Sequence, residues 1–272
     1  NKRNINMDQS AAVQAAELLA QARRDKTTIE GLPEHLKPQN LEDAYQIQDL
    51  LIPLIEQLSG GKKAGYKAGA TSEAAQQNFG LDAPFRGVLV SSHLLEDGAT
   101  IVAEDYNFRL LEAEFAFRMR EDLPAAAAPY DPGGVAAAVA GVITSIEAVD
   151  LRYTGAVGAG GLQVIADNSA AGYWVAGTEI ADLDAVDFED WPVSLSFNGE
   201  LAGTGNAANV LGNPYNALTW LANTLCLQGG GLKAGDIVTA GACIGPLPAP
   251  GGAVEVVADF GGLGQVRVNF SA

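Results

Sequence analysis

The chain has 272 residues, enough for one large or two modest domains with a substantial core. Hydrophobic residues make up 48% and charged residues 18%, the balance of a compact folded protein rather than a disordered one. Lys and Arg number 16 against 33 Asp and Glu, and the formal charge of −17 argues against nucleic acid and anionic membranes as partners.

No apolar stretch approaches the ~20 residues that span a bilayer, and the polar start from Asn1 to Ser10 is unlike a secretory signal, so a cytoplasmic enzyme is expected. Asn1 to Asn6, ahead of Met7, is left out of fold reasoning. Met7 to Arg24 carries apolar residues at helical spacing (Val13, Ala16, Leu19, Ala20) and reads as an amphipathic helix. Leu41 to Gly60 is a second helix, capped by Asn40, with Glu42 and Asp43 in its first turn and Gly60-Gly61 ending it. From Gly65 the texture changes to short β-type runs: 87–90, 110–118, 142–148, 193–198, 237–240, 254–260 and 264–270. Asn198-Gly199 reads as a hairpin turn. Helices are expected over Pro132 to Ala140 and Asn216 to Gln228, and the Ala125 to Ala128 run before Pro129 reads as a surface linker. The expectation is an α+β chain with a helical N-terminal region, 1–64, and a mainly antiparallel β catalytic region, 65–272.

Cys226 and Cys243 read as small core residues rather than a disulfide, and His35 and His93 match no metal-ligand spacing. Chemistry concentrates elsewhere. In Leu111-Glu112-Ala113-Glu114-Phe115 the two acids fall on one face of a strand inside an apolar run. Buried side by side they repel, and a hard divalent cation shared with Glu147, from Ile146-Glu147-Ala148, would neutralise them. The competing reading is a half-exposed strand edge. An all-carboxylate set suits Mg²⁺ or Mn²⁺ rather than zinc. Lys67, set between small residues in Gly65-Tyr66-Lys67-Ala68-Gly69, either snorkels to solvent or is held for chemistry. Asp150 and Arg152 would form an ion pair supporting the site, or a surface pair worth about 0 to 1 kcal/mol. Asp167-Asn168-Ser169 follows Gly155 to Gly161, which reads as a mobile loop able to close over a substrate, with a plain turn as the alternative.

Taken together these stretches resemble the 2-oxopent-4-enoate (2-hydroxypenta-2,4-dienoate) hydratase and vinylogous decarboxylase group of the fumarylacetoacetate hydrolase superfamily. The matching segments are 65–72, 76–84 with Gly87-Val88-Leu89, 111–117, 146–152, 166–169, 211–223 and 232–238, joined by Ala44-Tyr45-Gln46-Ile47-Gln48, in family order over nearly the whole chain. The resemblance implies a mixed β-roll and a homo-oligomer, often built on fivefold rings. It also implies Mg²⁺ or Mn²⁺ on Glu112, Glu114 and Glu147 chelating a small 2-oxo acid substrate, with Lys67 as general acid/base at a lowered pKa.

Hydratases of the group carry an acid directly after the proline matching Pro84, where this chain has Phe85-Arg86. Asp82 is the candidate substitute in catalysis, and Arg86 is the candidate for a second substrate carboxylate. Thr71, Asn168 and Ser169 are the other candidate substrate-binding residues.

The expected activity is water addition to a 2-hydroxy-2,4-dienoate from meta-cleavage of aromatic compounds. The alternative is vinylogous decarboxylation of a 4-oxalocrotonate-type diacid. Acylpyruvate C–C hydrolysis comes third, resting on Glu34-His35 as the water-activating pair. A non-catalytic partner subunit is the remaining reading, and three converging carboxylates argue against it.

Overall fold

The computed structural model describes residues 7–155 and 159–272. Asp8 caps α1 (Gln9–Arg24), and Ala12, Ala15, Ala16 and Leu19 bury one face of it against α2 (Leu41–Ser59). The Asn40 side chain accepts from the Asp43 N–H, and Gly60 ends α2 at φ 74, a left-handed angle that glycine takes without a Cβ clash.

The β region opens with β1 (Lys63–Gly69), α3 (Glu73–Phe79), β2 (Phe85–Val90), β3 (Leu94–Glu96) and β4 (Ala99–Ile101). Next come β5 (Leu110–Met119), β6 (Leu123–Pro124), α4 (Pro132–Ala137), β7 (Val139–Val149), α5 (Gly161–Ala166) and β8 (Tyr173–Ile180). The chain closes with β9 (Pro192–Phe197), β10 (Glu200–Asn206), α6 (Pro214–Leu227), β11 (Gly231–Leu232), β12 (Ile237–Ala242), β13 (Leu247–Pro248), β14 (Val254–Asp259) and β15 (Gln265–Phe270).

One eight-stranded sheet runs β2-β1-β12-β5-β7-β8-β3, with β13 also on β5; a second runs β10-β9-β14-β15-β4. The short β6 and β11 pair apart from both. Strand β15 packs across β7 and β8, which joins the two large sheets into a mixed α and β structure with a curled sheet. Most pairs are antiparallel as expected, but β1–β12, β3–β8 and β4–β15 are parallel. Asn198 and Gly199 both take positive φ, 51 and 81, and form the expected tight turn between β9 and β10.

Several elements depart from the sequence reading. The helix expected over Pro132 to Ala140 ends at Ala137, because β-branched Val139 begins a long buried strand. Helices α3 and α5 have no separate expectation behind them, and neither has strand β8. One continuous core cluster joins Leu19, Ile47 and Leu51 of the helices to Phe115, Ile146 and Val268 of the sheets. Both cysteines are free and buried, and no described helix is long and apolar enough to cross a membrane.

Candidate metal centre and its cavity

The antiparallel register of β5 and β7 puts Glu112 directly opposite Glu147, and Glu114 is the next residue on the same face of β5. One ligand atom from each of the three carboxylates lies within 4.8 Å of the others. Glu114 and Glu147 are each only 1% exposed. Lys67, on β1 beyond the intervening β12, is 3% exposed, and its Nζ donates to Glu147 Oε1 at 2.7 Å. Snorkelling is therefore excluded for this lysine.

Burial pushes Glu112 up to about 7; Lys67 draws it down and Glu147 pushes it up. Glu114 is held well above the ordinary carboxylate range by burial, then by Glu147 and Glu112. Burial raises Glu147 as well, against the pull of Lys67. Burial works against the charge on Lys67, but Glu147, Glu112 and Glu114 outweigh it and hold the ammonium above its usual value. The lowered value expected for this lysine is thus reversed with carboxylates as its neighbours, and reaching it would take a cation in addition.

Two oxygens, Glu114 Oε2 and Glu147 Oε2, are sealed from solvent with no hydrogen-bond partner. Buried anionic oxygens without partners are costly, and three converging carboxylates are the donor set a hard divalent cation takes. The residues present fit such an ion.

A cavity of about 410 Å³ opens beside the centre. Its polar side includes Lys67, Glu112, Glu114, Ser72, Asn78 and Asn209; its apolar side includes Phe79, Phe85, Leu110, Val149 and Val164. Lys67 is the one cation among the described lining residues. Phe85 packs edge to face on Phe79 at 5.5 Å between ring centroids.

Two expected site residues lie elsewhere. Register pairs Lys67 with Gly87 and Ala68 with Arg86, so Arg86 projects from the opposite face of the sheet. Its guanidinium is held there by Gln48, Asp49 and Gln228 and lies over the Tyr45 ring, which corrects the expectation that it meets a substrate carboxylate. Asp82 is exposed and lines a separate outer cleft with Glu34 and Gly160, which corrects the expectation that it stands beside Lys67 in the site. Of the Gly155 to Gly161 loop, residues 156–158 lie outside the described residues.

Thr71 and Ser169 line the cavity, whereas Asn168 instead clamps the backbone of Val88 through its side-chain amide. Asp150 and Arg152 do form an ion pair, and Asp150 Oδ1 also accepts from the Asn107 and Phe108 N–H groups just ahead of β5. Glu34 and His35 are exposed, Glu34 pairs with Lys37, and neither lines the cavity.

Gln48 is a positioning residue that the sequence reading missed. Fully buried on α2, its amide donates toward Arg86 O, Ile165 O and Ser169 Oγ. It thereby secures Asn168, Ser169 and Ala170, which take consecutive positive φ values of 54, 55 and 59. A glutamine with apolar helical neighbours (Ile47, Leu51) is the signal that could have exposed it.

Residues 66–271 match the fumarylacetoacetate hydrolase C-terminal family. The chain belongs to the fumarylacetoacetate hydrolase family. It is 33% identical over 271 residues to a 2-keto-4-pentenoate hydratase of Burkholderia vietnamiensis, covering 97% of this chain and 98% of that one. It is 30% identical to a 4-oxalocrotonate decarboxylase of Pseudomonas putida, covering 98% and 99%. The solved 4-oxalocrotonate decarboxylase from Pseudomonas putida G7, complexed with magnesium and adipate, superposes with a TM-score of 0.90 at 27% identity, covering 98% of this chain and 100% of that one. The fold is that of the family.

Proposed function

We propose that this chain is a metal-dependent hydro-lyase adding water to a monocarboxylic 2-hydroxy-2,4-dienoate with an apolar tail, giving a 4-hydroxy-2-oxo acid in aromatic-compound catabolism. The observation that carries this reading is that Lys67 is the one cation among the described residues lining the cavity: it sits against the glutamates, and the wall formed by Phe79, Phe85, Leu110 and Val164 is apolar. A second carboxylate on the tail would lie beside Phe79, Phe85 and Val164 with no second described cation to pair with, at a cost of several kcal/mol. Hydratase relatives aligned over nearly the whole chain support the same reading.

Glu112, Glu114 and Glu147 would hold Mg²⁺ or Mn²⁺. Such an ion, when bound, supplies the positive charge that draws electron density from a chelated 2-oxo carboxylate. Lys67 Nζ is the group placed to give and recover the proton, and Glu147 orients it. Thr71 lines the cavity with a hydroxyl that can orient water or substrate, while the Ser169 hydroxyl is engaged with Arg86 O and Gln48. Phe79, Phe85 and Leu110 keep bulk water from the tail. We read the assembly as a homo-oligomer, pentamer or decamer, on the resemblance.

Vinylogous decarboxylation is the second reading, and Phe85 favours it. This ring stands in the cavity where hydratases of the group carry a proton-moving acid, and Asp82 does not replace it. Loss of the dienoate absorbance of 2-hydroxypenta-2,4-dienoate, followed with Mg²⁺ and with excess chelator, tests the proposal. Turnover equal in both would sink the metal assignment, and no turnover in either would sink the hydratase.

A further inference from the structure

A second cavity, of about 350 Å³, lies apart from the metal centre between the end of α1 and the segment that follows β7. Arg23, Arg24, Lys26 and Arg152 line it against Asp105 and Asp150, so a quarter of the chain's 16 Lys and Arg face one pocket of a molecule carrying −17. Three of these cations have acids: Arg23 pairs with Asp167, Lys26 with Asp105 and Arg152 with Asp150. Basic residues in the last turn of a helix also answer its dipole, which is reason enough for Arg23 and Arg24 alone.

Arg152 is different. It comes from another segment, is 7% exposed, and its Nε is sealed from solvent without a hydrogen-bond partner. Arg24 makes a hydrogen bond to neutral Gln21 and no ion pair among the described residues. Apart from Ser59, the rest of the lining is aromatic or apolar. Tyr106 and Tyr173 stack at 5.8 Å, His93 meets Tyr173 edge on at 5.2 Å, and Leu58 is 39% exposed. Burial, then Arg23 and Arg152, hold the His93 imidazole below its usual pKa.

We propose that this pocket binds a small aromatic carboxylate, with Arg152 and Arg24 taking the carboxylate and Tyr173, Ile55 and Leu58 taking the ring. Its volume is that of a small-ligand site. Two guanidiniums lining one pocket with aromatic and apolar walls suit a planar organic anion better than a bare phosphate, which would leave the ring surfaces wet.

The chain has two histidines, so imidazole NMR reads the site directly: His93 lines this pocket, and exposed His35 does not. Titration of the full chain with benzoate should shift the His93 resonances saturably, raise the His93 pKa and leave His35 unmoved. The Arg24→Gln/Lys26→Gln double variant, at two exposed positions, should bind about tenfold more weakly. No saturable His93 shift, or equal affinity in the double variant, overturns the site. An equal His93 response to inorganic phosphate overturns the aromatic class.

Discussion

Lys67 Nζ donates to Glu147 Oε1 at 2.7 Å, with both side chains almost wholly sealed from solvent. The pair links β1 to β7 across two intervening strands and makes the proposed proton carrier and a proposed metal ligand neighbours. Replacing one partner of a buried pair strands the other, at roughly 3 to 5 kcal/mol. Lys67→Met should therefore destabilise the metal-free protein by about that amount. With Mg²⁺ present, calorimetric titration should still show binding, while kcat falls at least ~100-fold. A rate within a few fold of the parent would remove Lys67 from the chemistry.

Glu114→Gln separates the metal site from the fold. Its Oε2 has no partner and its carboxyl is held protonated-ward by burial and by its neighbours, so the amide removes a liability. Thermal melts of the metal-free variant should match or exceed the parent, while Mg²⁺ affinity drops by two orders of magnitude or more, the scale on which even weaker perturbations of a metal site act. Retained Mg²⁺-dependent turnover would contradict the triad.

The raised carboxylates set the sign of a pH effect. Glu112 sits at about 7 in the folded protein against an unfolded value of about 4.3, so between these limits the folded state binds more protons. Stability of the metal-free protein should accordingly fall as pH rises from about 4.5 to 7. Adding Mg²⁺ should flatten or reverse that slope, and Glu112→Gln should weaken it. Melting temperatures across this range, with chelator and with Mg²⁺, check the sign; a metal-free protein that gains stability over the window contradicts it.

Gly69 and Phe85 face each other across the β1–β2 ladder, and a Cβ at position 69 would collide with the Phe85 ring. Gly69→Ala should cost roughly 1 to 3 kcal/mol by overpacking and distort the apolar wall of the cavity, raising KM. Phe85→Leu in the same chain should recover most of that loss. Additive effects in the double-mutant cycle would show that the two positions do not share the space.

Much of this was legible in the chain, for identifiable reasons. Asn40 and Gly60 bracket α2 because capping is local chemistry, and the Glu112/Glu114 alternation gives one strand face without any tertiary information. That Glu147 stands opposite Glu112 is a matter of register, which a sequence carries only through resemblance. Register also defeats the reading of Arg86, since a neighbour of Gly87 on β2 must point away from the face that Lys67 occupies. Asp82 fails for another reason: it is close in sequence to Phe85 but sits in the exposed connection after α3. Gln48 among apolar helical neighbours signals a buried amide, but not what it holds, because all three of its acceptors come from later in the chain.

The most direct test of the central claim is mass-resolved product analysis with 2-hydroxypenta-2,4-dienoate and, separately, 2-oxohex-3-enedioate, each with Mg²⁺ and with chelator. The expected result is metal-dependent gain of one water by the monoacid and little turnover of the diacid. Metal-dependent loss of CO₂ from the diacid, with the monoacid unchanged, would contradict the hydratase and assign the Phe85 wall to decarboxylation.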